Sequence, residues 1–243
     1  QKEKFAVMHT AREAVPPEKL LLAGTGCEST RETITLTKEA ARAGADAAVV
    51  LNPSFYKAQM DQETLKAHFF AVADASTIPI IIYNMPQNTG LDMSAEVIMA
   101  ISGHPNVVGL KDSGGDLEKM RRIIANCKPD FQVLAGSAGF LLPALQIGAI
   151  GGILALANIA PAVCLKIVEL FLENKQNEAT ELQRKIVELN AAVTRQWGVP
   201  ALKAALDHLG LYGGIARKPL LKVSKENRER VLNLLEAIQN TPF

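Results

Sequence analysis

The sequence predicts an α/β fold of the (β/α)8 barrel kind, and three observations point there. Short apolar runs alternate with amphipathic stretches at intervals of roughly 20 to 30 residues, the pattern of parallel strands joined by crossover helices. The runs are rich in Val, Ile and Leu and lack polar alternation, as strands covered on both faces do. They start at residues 20, 47, 78, 107, 131 and 152, close to the roughly 31 residues per unit of a barrel of about 250 residues. The rival is an open doubly wound sheet. It loses ground because Gly24-Thr25-Gly26-Cys27 lacks the third glycine of a dinucleotide fingerprint at the required spacing.

In chain order, a helix is expected over 1–15, then strands over 20–23, 47–51, 78–83, 107–110, 131–135 and 152–156. Helices are expected between them over 29–43, 61–76, 94–101, 116–126 and 140–147. Asp61, Ser94 and Asp116 stand where N-caps belong, and Gly44 and Gly148 stand where helices should stop. After Ala160 the strand signal ends, and three or four helices follow with stops near Asn174, Gly198 and Gly210. Six strands in a chain that opens on a helix predict a (β/α)8 TIM barrel lacking its first strand, helix and second strand, plus a C-terminal helical appendage. The domain expectation is a barrel over 1–159 and the last barrel helix with the helical region over 160–243.

Composition narrows the function classes. Twenty-six Lys and Arg against 25 Asp and Glu leave a net charge of +1, so no field draws in nucleic acid or an anionic membrane. Hydrophobic residues make up 48% and charged residues 21%, enough for a large core without staples. The longest apolar stretches fall short of the roughly 20 residues of a membrane span. Cys27, Cys127 and Cys164 fit neither a disulfide framework nor a zinc ribbon, which predicts a reducing, intracellular setting. His9, His68, His104 and His208 show no metal-ligand spacing and are expected at the surface or at helix ends. No metal or cofactor is expected.

In a barrel, function collects where strands end. The polar residues there are Thr25 and Glu28, Asn52, Tyr83 and Asn84, Lys111 to Ser113, Gly136 and Ser137, and Asn158. Lys111 is the most informative. Counting by two along the strand puts 107, 109 and 111 on one face, with Gly109 leaving room beside the lysine. Desolvation at such a place favours a neutral amine able to attack a carbonyl. The plainer alternatives are an ammonium paired with Asp112 or one reaching solvent. Tyr83, one strand earlier, is either a half-buried strand-end tyrosine or the proton shuttle that iminium chemistry needs. Gly114-Gly115 and Gly136-Ser137-Ala138-Gly139 are candidate backbone nests for phosphate or carboxylate, or ordinary loop glycines.

Together, Tyr83-Asn84-Met85-Pro86-Gln87-Asn88-Thr89-Gly90 and Gly109-Leu110-Lys111-Asp112-Ser113-Gly114-Gly115-Asp116 resemble the paired signatures of the dihydrodipicolinate synthase and N-acetylneuraminate lyase family. The segments at 135–139, 151–153 and 213–220 fit as well. The resemblance implies a metal-independent, Schiff-base-forming (β/α)8 enzyme acting on pyruvate or a related small 2-oxo acid, and a homotetramer. Within the family, the segments at 111–116, 133–140 and 190–195 look most like the 4-hydroxy-2-oxoglutarate aldolases, which implies a mitochondrial location in a eukaryote and a cytoplasmic one otherwise. It assigns the Schiff base to Lys111, proton transfer to Tyr83, and substrate positioning to Ser113, Gly136, Ser137 and Ile153. Asn88 stands where the synthases typically carry an arginine, and Ser113 where the lyases favour threonine. Phe55, with Tyr56 beside it, stands where the family often lends a tyrosine across a subunit interface. The family's Gly-Ser/Thr-x-Gly-Glu carboxylate loop would lie upstream of Gln1. A non-catalytic paralogue and a phosphate-binding barrel built on 136–139 remain as rivals.

Overall fold

The computed structural model describes residues 2–241. Its strands are β1 (Leu22–Gly24), β2 (Ala47–Leu51), β3 (Ile80–Asn84), β4 (Val107–Asp112), β5 (Gln132–Ala135) and β6 (Gly151–Gly152), in one sheet of order β1-β2-β3-β4-β5-β6. The pairs β1–β2, β2–β3 and β3–β4 are parallel. A strand order that never reverses is that of a singly wound, barrel-like sheet. The doubly wound alternative needs a switch point where the order turns back.

The helices are α1 (Lys2–Ala14), α2 (Thr30–Arg42), α3 (Gln62–Ala75), α4 (Pro86–Thr89), α5 (Ala95–Ser102), α6 (Leu117–Asn126), α7 (Leu141–Gln146), α8 (Pro161–Leu172), α9 (Gln176–Ala191), α10 (Gly198–His208) and α11 (Lys225–Gln239). A π turn over Ala192–Gln196 joins α9 to α10. The chain forms two compact units, Gln1–Leu134 and Ala135–Phe243.

In the first unit the expected N-caps are in place. The side chains of Asp61, Ser94 and Asp116 accept the N–H of Thr64, Val97 and Lys119, each worth about 1 kcal/mol. Ile80, Ile81 and Ile82 are buried in succession, so both faces of β3 are covered. A second cluster gathers Leu36, Ala40, Ala43 and Ala45 with Met8 and Ala23. The first strand starts two residues late, because Leu20 is 77% exposed. Gln1, at the start of the expected first helix, lies outside the described residues.

In the second unit Gly148 ends α7 with a positive φ of 105°. The expected strand over 152–156 is a correction: β6 covers two residues and Ala155–Asn158 is a 3-10 turn. A run of apolar residues without alternation does not distinguish strand from helix. Stops at Asn174 and Gly210, both at positive φ, follow the expectation.

His9 is exposed, His208 ends α10 and His104 stands just past the end of α5, as expected, but one histidine needs a correction. His68 lies inside α3 and is 5% exposed, and His104 is buried against Asp74 at 2.9 Å. Burial holds His68 down to about 4, against the pull of nearby Glu28 in the other direction. Its Nδ1 meets the Thr30 hydroxyl at 2.9 Å. All three cysteines are free thiols, and burial pushes Cys164 up to about 11. Among the described residues, no helix is long and apolar enough to cross a membrane.

Candidate active site

The register of β3 against β4 pairs Tyr83 with Lys111 and Asn84 with Asp112. Paired residues of neighbouring parallel strands point to the same face, so phenol and amine share one side of the sheet. Lys111 Nζ lies 3.9 Å from the centre of the Tyr83 ring, and both residues are half-buried.

The face assignment corrects the simple count. Between Ile80 and Ile81 the register shifts, so that Ile80 pairs with Val107 but Ile81 pairs with Gly109. This β-bulge puts Val107 on the face opposite Lys111. Gly109 does share the face of Lys111, but it opens no space. A Cβ there would come within 2.5 Å of the Gln132 carbonyl oxygen, so the glycine admits the backbone of the neighbouring strand.

On the opposite face, Asp112 is 0% exposed and fully engaged. Its Oδ1 accepts the N–H of Gly114 at 2.8 Å and of Gly115 at 3.2 Å. Its Oδ2 accepts Asn84 Nδ2 at 2.8 Å and faces Lys119 Nζ at 3.6 Å. Asn84 Nδ2 also donates to Asp92, to which Lys119 is bonded directly. The Asn84 side-chain oxygen accepts Met93 N–H at 3.1 Å, and its backbone carbonyl accepts Ser113 N–H at 2.9 Å. Asp112 is therefore the counter-ion of Lys119 rather than of Lys111. The paired glycines form no nest, since both N–H groups are turned onto Asp112. Ser113 is buried at the end of β4. Asp92 and Lys119 carry this network and have no local sequence signal.

In the second unit, Gly136 and Ser137 leave β5. Ser137 Oγ accepts Gly139 N–H at 3.3 Å and Asn190 Nδ2 at 3.0 Å. Gln183, buried, donates Nε2 to the Ala138 carbonyl and accepts Leu142 N–H, both at 2.9 Å. The N–H groups of Gly139, Leu141 and Leu142 thus have protein acceptors, which removes much of what a phosphate nest would offer. Ile153, half-buried, bonds its N–H to the Ala135 carbonyl at 2.9 Å.

Among the remaining strand-end residues, Thr25 is buried against the Thr37 hydroxyl at 2.8 Å. Asn88 is exposed in α4 and Asn158 in its 3-10 turn. The Glu28 carboxylate accepts the N–H groups of Ser54 and Phe55, both at 2.9 Å. Burial opposes its ionisation, but these donors and the Ser54 hydroxyl outweigh it and hold the carboxyl below its usual range. The turn so fixed presents Phe55 and Tyr56, 77% and 67% exposed, as an edge-to-face pair 5.0 Å apart. Among the described residues, no three His, Cys, Asp or Glu side chains cluster as metal ligands.

Residues 1–238 match the dihydrodipicolinate synthetase family. The chain is 42% identical over 207 residues to a probable mitochondrial 4-hydroxy-2-oxoglutarate aldolase of Emericella nidulans, covering 85% of this chain and 67% of that protein. It is 37% identical over 219 residues to a 4-hydroxy-tetrahydrodipicolinate synthase of Methanococcoides burtonii, covering 90% and 75%. Among solved structures, a dihydrodipicolinate synthase from Bacillus anthracis superposes with a TM-score of 0.92 at 29% identity, over 100% of this chain and 81% of that one. A chloride-inhibited dihydrodipicolinate synthase from Acinetobacter baumannii, complexed with pyruvate, superposes with a TM-score of 0.90 at 31% identity, over 99% and 82%.

Proposed function

Because this chain belongs to the dihydrodipicolinate synthetase family, whose members are Schiff-base lyases and aldolases, we propose that it cleaves 4-hydroxy-2-oxoglutarate to pyruvate and glyoxylate. The observation that carries the reading is the amine of Lys111 held 3.9 Å over the Tyr83 ring at paired strand ends. The amine adds to the C2 carbonyl, and loss of water from the carbinolamine leaves an iminium. Loss of the C4 hydroxyl proton breaks the C3–C4 bond, glyoxylate departs, and the electron pair passes into the iminium to give an enamine. Protonation at C3 and hydrolysis release pyruvate and the free amine. Each step moves a proton, and Tyr83 is the phenol positioned to relay it. The ring face rather than the hydroxyl meets the amine, so the proton passes by way of a substrate oxygen or a water.

Ser113, at the end of β4, and Gly136, Ser137 and Ile153, in the second unit, are the proposed substrate-positioning residues. Support for the aldolase branch comes from the relative named as such and from Asn88, which stands where the synthases typically carry an arginine. A synthase joining pyruvate to a second aldehyde is the alternative, favoured by the relatives that bear that name. We further propose an oligomer in which the exposed Phe55–Tyr56 turn meets another copy, which light scattering on the purified protein measures. The same branch goes with a mitochondrial location in a eukaryote and a cytoplasmic one otherwise.

Borohydride reduction with pyruvate should trap one adduct per chain, mapped to Lys111 by peptide mass. Pyruvate release from 4-hydroxy-2-oxoglutarate, measured beside condensation assays, then separates aldolase from synthase. Absence of any trapped adduct would overturn both.

A further inference from the structure

The loop after β5 carries a hydroxyl whose accepting capacity is used up. A serine oxygen has two lone pairs and one proton. At Ser137 one lone pair takes Gly139 N–H at 3.3 Å and the other takes Asn190 Nδ2 at 3.0 Å. What remains is a donor. The geometry around it is fixed on each side. Asn190 is 6% exposed near the end of α9, and its carbonyl receives the Thr194 hydroxyl at 2.6 Å. A Cβ at Gly139 would press to 3.0 Å from Asn190 Nδ2, so glycine leaves the amide its place. Gln183 ties down the next residues of the loop. Asn190 Oδ1 is buried with no hydrogen-bond partner. The amide therefore spends its one contact with this loop on donating to Ser137 and leaves its own acceptor bare.

We propose that Asn190 is a positioning residue that makes Ser137 an obligate hydrogen-bond donor, matched to a carboxylate oxygen of the substrate. The chemical class it selects is a 2-oxo acid that brings an anionic oxygen to this loop, in preference to a group that must itself donate. The inference rests on the assignment of Ser137 to substrate positioning above, and it adds a residue and a direction to that hydrogen bond.

The test is a double-mutant cycle on the full chain, read as KM and kcat for 4-hydroxy-2-oxoglutarate. A hydrogen bond to a charged group corresponds to about 10- to 100-fold in affinity, so Ser137→Ala should raise KM by that order while kcat changes less than threefold or so. Asn190→Asp replaces the donor with an acceptor, turns the Ser137 proton inward, and should raise KM at least as far. In the Ser137→Ala background there is no hydroxyl to turn, and Asn190→Asp should add only a few-fold. Asn190→Ala, run in the same cycle, gives the same coupling with smaller amplitude and serves if the aspartate variant fails to fold. Ser137→Thr should restore KM.

Equal effects of Asn190→Asp in both backgrounds would overturn the proposal, because a charge or packing defect acts regardless of the hydroxyl. An unchanged KM in Asn190→Asp would overturn it too, by showing that Ser137 donates to the amide oxygen. Trapping of pyruvate at Lys111 in the same preparations separates the failures. An adduct with pyruvate release from 4-hydroxy-2-oxoglutarate but without coupling leaves the aldolase standing and removes only the role of Asn190.

Discussion

Two loops at strand ends are anchored by opposite means. The ends of β3 and β4 are held by ions: a buried Asp112 binds two backbone N–H groups, an amide and, with Asp92, the ammonium of Lys119. The loop after β5 is held by neutral amides, Gln183 and Asn190, with one acceptor left unpaired. A buried charged network is costly to disturb, since removing one partner strands the others. Neutral hydrogen bonds yield more cheaply. The contrast suits the tasks proposed for each. Covalent chemistry needs amine and phenol held in one geometry, whereas a substrate-binding loop needs an oriented donor.

The sharpest way to test the contrast is at the amine. Lys111→Arg sets a guanidinium in place of the amine over the Tyr83 ring, and because it stays protonated it cannot attack a carbonyl, so both the trapped adduct and turnover should vanish. A full-strength adduct in that variant would sink the mechanism. Next, Tyr83→Phe keeps the ring under the amine and removes the phenol. The expected fall in kcat is roughly 10²- to 10⁴-fold with an unchanged melting temperature, and a near-normal kcat would move the proton relay to water or to another group.

Asp112→Ala probes the ionic anchor. It strands Gly114 N–H and Gly115 N–H and leaves Lys119 with Asp92 alone, and should cost about 3–5 kcal/mol in denaturant unfolding, with Asp112→Asn costing less. Acid should also find the first unit. Burial keeps His68 at about 4 against 6.5 for the free side chain, so the unfolded chain takes up a proton first as pH falls. The stability from the neutral His68 is whole above pH 6.5 and is lost progressively toward pH 4, by about 3 kcal/mol in all. His68→Gln should flatten that part of the melting-temperature curve. A curve as steep as the wild type would place the acid-sensitive group elsewhere. Smallest is Gln183→Leu, which leaves Leu142 N–H unpaired for about 1–3 kcal/mol, while the Ala138 carbonyl keeps the N–H of Leu141. If it damages kcat more than Asp112→Ala does, the assignment of the two anchors is inverted.

Much of this architecture was legible in the sequence because it is local. The bounds of β2, the caps at Asp61, Ser94 and Asp116, and the stop at Gly44 follow from side-chain chemistry within a few residues. Lys111 and Tyr83 could be paired because each ends an apolar run. The anchors could not be read in the same way. Asp92 meets Lys119 across 27 positions and Ser137 meets Asn190 across 53, and no periodicity marks such partners. Two local rules also misled. An uninterrupted apolar run hid the brevity of β6, and counting by two along β4 ran through a bulge that resets the count.

That bulge behaves as a slip joint. The facing of Lys111 is dictated by its ladder to Tyr83 and not by how many residues precede it in the strand, because the surplus residue near Val107 takes up any mismatch with the segment before. A one-residue insertion or loss between α5 and β4 can therefore be absorbed at the bulge without turning the amine toward the carboxylates on the reverse side. The entry to β4 has this slack, while its exit, laddered to β3 from Gly109 to Asp112, does not.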